Sequence, residues 1–204
     1  MSTWKLGTGR WGSGASEVDD IAIDAVTNAL ITVQNEHHEV HEGSAFSANH
    51  VDTSMAIGDT NELCFKTPAA GKLIHLAGEF LTLTGGHLDL IEGPTWDASS
   101  GSAVAIYNRK RAAAMTSSVL LEDRSTGSFV ANDELILNPT TFAGGTVLLP
   151  FYGFGQKNQF SGGGQSALEW VLQPETQYAV RFVSTANSNA AQILMRWYEH
   201  TSKH

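Results

Sequence analysis

In 176-TQYAVRFVSTANSNAAQILMRWYE-199 apolar and polar residues alternate twice, once on each side of a run of turn formers. An extended chain turns successive side chains to opposite faces, so Tyr178, Val180 and Phe182 share one face and Arg181 points away. Ile193, Met195 and Trp197 repeat the pattern against Arg196. The segment between them, 185-TANSNA-190, reads as a turn, which predicts that the two strands are antiparallel neighbours.

Working outward, the same rhythm recurs from Ala29: short apolar, β-branched runs such as 29-ALITVQ-34, 62-ELCFK-66, 72-KLIHLAGEFLTLT-84, 87-HLDLIE-92 and 146-TVLLPFYGF-154 end at turn residues. Glycine-rich 161-SGGGQ-165 and 143-AGG-145 read as loops, and Pro68, Pro94, Pro139 and Pro174 fall at segment ends, where a missing N–H is tolerated. A short helix is allowed within 108-NRKRAAAMTSS-118. About ten strands without a long amphipathic helix predict an all-β fold, a two-sheet sandwich of jelly-roll type. We expect one domain over residues 29–204, preceded by an extended N-terminal arm over 1–28 that carries Trp4 and Trp11 on a glycine-rich tether. The two indoles either fold back on the domain's own core or dock on a neighbouring subunit.

Charge and cysteine usage narrow the function. Twelve Lys and Arg against twenty-one Asp and Glu give a formal net charge of -9, which opposes nucleic acid and anionic lipid as partners. Cys64 is the only cysteine and cannot form an internal disulfide; between Leu63 and Phe65 it reads as a buried, inert thiol. No basic-then-apolar leader opens the chain and no apolar run is long enough to span a bilayer, so the protein is expected to be soluble.

Chemistry concentrates in 35-NEHHEVHEGSAF-46, which packs His37, His38 and His41 among glutamates. A zincin needs His-Glu-x-x-His on a helix, and here the glutamate comes one position late. A cupin, the jelly-roll precedent for a metal, wants a different His and Glu order, and nothing fixes His50, His75 or His87 as a distant ligand. Read as a strand, the segment puts His37, Glu39 and His41 on one face. We take these histidines as surface or interface groups beside carboxylates, with no catalytic residue, no metal and no cofactor. Asp89, Glu92 and Asp97 lack the spacing of a glycosidase pair and read as a solvated loop. No nucleophile elbow or phosphate-cradling loop is present. The basic knot Arg109, Lys110 and Arg111 is either a solvated turn or a patch that meets a partner's carboxylates.

The set 38-HEVHEGSAF-46, Asp52-Thr53, 107-YNRKR-111 and 196-RWYEH-200 resembles the tailed-bacteriophage capsid decoration (cement, head auxiliary) proteins, over about Ala29 to His200. The resemblance implies a structural protein that is not an enzyme: an oligomeric β-sandwich, a homotrimer, made in the host cytoplasm and added to the exterior of the virion capsid, where it clamps major capsid protein subunits. Candidate interface residues are Trp4, Trp11, His37, His38, His41, Arg109, Lys110 and Arg111. Two alternatives stand beside it. A receptor- or glycan-binding module of a fibre or baseplate would need exposed aromatics, for which Trp96 is the loop candidate; a cupin-like enzyme would need a tightly held metal.

Overall fold

The computed structural model describes residues 35–69, 71–97, 99–112, 115–123, 128–131, 134–153, 161–164 and 169–200. The expected arm over 1–28, with Trp4 and Trp11, and the expected strand 29–34 lie outside the described residues. A helix, α1 (Asn35–Glu42), leads into four outgoing strands, β1 (Ala45–Met55), β2 (Thr60–Lys66), β3 (Leu73–Thr82) and β4 (Gly86–Thr95). An insertion follows, with β5 (Ser102–Ala105), β6 (Tyr107–Asn108), β7 (Leu120–Asp123), β8 (Ser128–Ala131) and β9 (Glu134–Leu137). The chain returns through β10 (Ala143–Gly153), β11 (Ser161–Gly164), β12 (Trp170–Val171), β13 (Gln177–Ser184) and β14 (Asn189–His200).

The returning strands pair with the outgoing ones in reverse order, all antiparallel: β4 with β10, β3 with β11 and β12, β2 with β13, β1 with β14. Two sheets result, the first ordered β11-β3-β14-β1-β6 with β12 also on β3, the second running β10-β4-β13-β2 and continuing into the insertion. Packed face to face, they form an all-β sandwich. Aromatic rings bridge the interior: Phe80 of the first sheet lies 5.6 Å from Phe182 and 5.7 Å from Phe151 of the second. At the start of β4 this packing leaves no room for a side chain, since a Cβ on Gly86 would come within 2.2 Å of the Phe182 ring.

The predicted β13–β14 hairpin is corrected. β13 belongs to the second sheet, between β2 and β4, and β14 to the first, between β1 and β3. Alternation reports which face is buried but not which strand lies alongside. Here the two apolar faces enter one core from opposite sheets. Asn189 fastens the crossover: its buried side-chain oxygen accepts from Thr82 Oγ1 and the Thr84 N–H, both at 3.0 Å, while its Nδ2 donates to the Gly85 carbonyl and Ser184 Oγ. Two expected loops are also corrected, because 161–164 pairs with β3 as β11 and 143–145 opens β10. The helix allowed within 108–118 does not form among the described residues there; Tyr107–Asn108 pair with β1 and the chain then turns.

A second core lies on the outward face of the second sheet. Ile136 of β9, Cys64, Ala179 and Ile91 form one row across four adjacent strands and are covered by Trp96, with Phe142 packed against them. Next to it the Arg181 guanidinium, in register with both Asp89 and Glu62, donates to Asp89 at 2.9 Å and lies over the Phe142 ring. The insertion therefore acts as a lid of this chain's own making, and β2 is buried at five consecutive positions.

Candidate functional site: the open face of the first sheet

The first sheet has no such cover among the described residues: the two buried clusters lie between the sheets and over the second one. β14 accordingly alternates buried and half-buried residues along its whole length. Register sets what shares a row on its outward face. Val51, Gln192 and Leu81 form one row; Asn49, Leu194 and Glu79 the next; Ser47, Arg196 and Ala77 the third; Tyr198, His75 and Val171 the fourth.

One end of this face is polar and aromatic. Arg196 donates to Glu79 at 3.0 Å across β14 and β3. His75 Nδ1 bonds the Glu169 carboxylate, which also accepts the Tyr198 hydroxyl at 2.6 Å. The His75 ring stacks on Tyr198 with centroids 4.5 Å apart and meets His200 at 4.4 Å. Burial pushes the Glu169 carboxyl up, but the Tyr198 hydroxyl and the His75 ring, with the charges of His75 and His200, hold it below the usual carboxylate range. Arg109 joins these side chains in lining a shallow depression. The other end is apolar, with Val51, Leu81 and Ala190 around a shallow hollow.

A corner beside the polar end joins two segments singled out from the sequence. The strand reading of 35–42 is corrected to helix, which Gly43 terminates at φ 90°: the Ser44 N–H reaches the Glu39 carbonyl at 3.0 Å and the Gly43 N–H the Val40 carbonyl at 3.3 Å. Glycine adopts this left-handed geometry without steric cost, so a helix stops cleanly there even in a strand-rich chain. Next to this helix end, Asn108 Nδ2 donates to the Gly43 carbonyl at 2.7 Å and the Arg109 N–H to the Ala45 carbonyl at 2.9 Å. His41 is exposed at the end of α1, and His37 lies one turn before it in the same helix. Arg109 and Lys110 are half-buried; Arg111 is exposed with its guanidinium 6.0 Å over the Tyr107 ring.

Other expectations fall differently. Asp89 is no loop carboxylate but the buried partner of Arg181, and Glu92 accepts the Tyr178 hydroxyl at 2.6 Å; Asp97 alone of the three is a solvated loop residue. Trp96 is buried in the second core and offers no exposed platform. Cys64 is fully buried, and burial, with the Glu62 charge second, pushes its thiol far up. His87 lies 3.6 Å from Asp89 and against Tyr152, while His50 sits on β1. Among the described residues no group of three or more His, Cys, Asp or Glu stands close enough to hold a metal ion. The His75, Glu169, Tyr198 and His200 cluster was not predicted; the outward positions of 196-RWYEH-200 were its only signal in the sequence. No protein-family model matches this chain, and no curated protein or solved structure matches it either.

Proposed function

We propose that this chain is a structural protein of a tailed-phage virion: a decoration or cement protein that works as a homotrimer on the exterior of the head and ties neighbouring major capsid subunits together. We also read its sandwich as a jelly roll, because reverse-order pairing of outgoing and returning strands is what two Greek keys in a folded-over chain give. The observation that carries the functional reading is the corner where the end of α1 and 109-RKR-111 are tied together at the margin of the open sheet face. There the planar guanidinium groups of the exposed Arg111 and the half-buried Arg109 suit carboxylates on a shell subunit. Three copies of a modest patch engage a local three-fold arrangement far more tightly than one copy. Charge at the rim then governs approach more than final affinity. The glycan-binding alternative loses its loop aromatic with the burial of Trp96.

The test mixes purified protein with heads that lack it, counts bound copies, and repeats with Arg109→Glu and Arg111→Glu. Saturable binding in multiples of three, shells more resistant to heat, and slower attachment of both variants are expected. Protein that ignores heads and binds host cells or glycans instead would contradict the reading.

A further inference from the structure

We infer that the outward face of the first sheet is covered by a second copy of this chain. The inference deepens the oligomer part of the proposed function by naming the face that a neighbouring copy occupies. Three of the exposed large apolar side chains belong to this one face: Val51 at 51%, Leu81 at 44% and Val171 at 53% exposure. Val51 and Leu81 flank Gln192 in one row, where they form a small apolar patch, and Val171 adds exposed apolar surface at the other end of the face.

Size fits the same reading. β1, β3 and β14 run 11, 10 and 12 residues. At about 3.3 Å per residue and about 4.8 Å between strands, they and the short strands beside β3 present on the order of 600 Å². A stable pair of proteins buries about 600 to 1,000 Å² on each side, so the face reaches the lower end of that range.

Charge selects the occupant. Two molecules that each carry a formal net charge of -9 repel, so copies meet where the surface holds no excess of one sign. On this face one depression is lined by two carboxylates, Glu79 and Glu169, and two guanidinium groups, Arg196 and Arg109. Glu79 is already bonded to Arg196, and Glu169 to Tyr198 and His75. Covering these groups strands no lone charge, whereas a nucleic acid or an anionic surface would find no excess of positive charge to neutralise. The insertion covers the β2, β13 and β4 part of the second sheet from within the chain, leaving Val147 and Tyr152 of edge strand β10 exposed, and a neighbouring copy covers the first.

Sedimentation of the full chain over a range of concentrations tests this, with Val51→Glu and Leu81→Glu as face variants and Ile57→Glu as control. Ile57 is 62% exposed in the turn between β1 and β2, off the face. The unaltered protein is expected to assemble, each face variant to weaken assembly by at least about 30-fold, and the control to leave it unchanged. A monomer at every concentration, assembly that ignores both face variants, or a control that weakens it equally would overturn the inference. Radical footprinting of the unaltered protein gives a reading independent of how the variants fold: Val51 and Leu81 should be protected in the assembly and Ile57 labelled, and equal labelling of all three would count against it. Because no heads are present, failure here is distinct from failure of capsid attachment.

Discussion

The two sheets are built from similar strands yet differ in what lies on their outward faces. β2 is buried at five positions in a row because β9 of the insertion pairs with it and Trp96 and Phe142 pack over Cys64 and its neighbours. β14 buries every second residue because its other side faces outward. The same contrast appears in two cross-strand ion pairs. In the pair of Arg181 with Asp89 the carboxylate is buried and the guanidinium partly exposed, whereas Arg196 with Glu79 is about a third exposed on both sides. A strand's burial period thus reports how many of its faces are covered, and the uncovered face is where to look for a partner.

Truncation should break the contrast most sharply. Ile136→Ala, in β9 of the insertion beside Cys64, is expected to cost about 3 kcal/mol through lost burial and the cavity left behind, while Leu81→Ala on the open face costs about 0.5 kcal/mol or less. Urea melts of dilute protein, where assembly does not contribute, measure both; equal losses would mean that the two faces are equally covered.

A smaller gap should separate the ion pairs. Asp89→Ala takes the buried carboxylate away from the partly exposed Arg181 and should cost about 2 kcal/mol. Glu79→Ala, removing an exposed partner, should cost about 1 kcal/mol or less. If the order is reversed in the same melts, the assignment of which sheet is covered is wrong.

The smallest effect is acid sensitivity, and it belongs to the first sheet. Burial lowers the His50 pKa against the opposing pull of Asp52. The folded state therefore keeps this ring neutral where the unfolded chain, near its ordinary value of about 6.5, already takes up a proton. Its contribution to stability is complete above that value and falls as pH drops through the window toward the folded value. Glu169, held low in the fold, contributes stability at neutral pH that is lost at still lower pH as its folded value is crossed. Cys64 and Tyr178 of the second sheet are both pushed up, chiefly by burial, and stay protonated throughout this range. His50→Asn should flatten the fall in melting temperature between about pH 7 and pH 5; an unchanged slope would remove His50 as its source.

The fold class was legible because β3, β13 and β14 carry apolar residues at every second position. What remained hidden had physical reasons. β1 pairs with β14 over nearly its whole length, yet AFSANHVDTSM is rich in Asn, Asp and Ser, because half of it faces outward and its far end bulges. Four turn-prone residues of 161–164 form a strand because β3 supplies the ladder, a tertiary effect that local propensity does not contain. The second core was half visible in 62-ELCFK-66, where apolar residues occupy both faces, but the residues that cover it come from Trp96 to Phe142. The polar cluster on the open face draws on His75, Glu169 and Tyr198, separated by 94 and 29 positions, and only the register of β3 and β14 brings them together.

Cys64 provides the most direct test of the difference between the sheets, because the sole thiol of the chain lies on the outward face of the second sheet under the insertion. The measurement is the rate at which a maleimide labels the native protein, compared with the same protein in denaturant. If the insertion covers that face, Cys64 reacts only as the protein unfolds, and native labelling tracks the opening equilibrium. Labelling of the native protein at the rate of the unfolded chain would show the second sheet to be as open as the first, and would contradict the account.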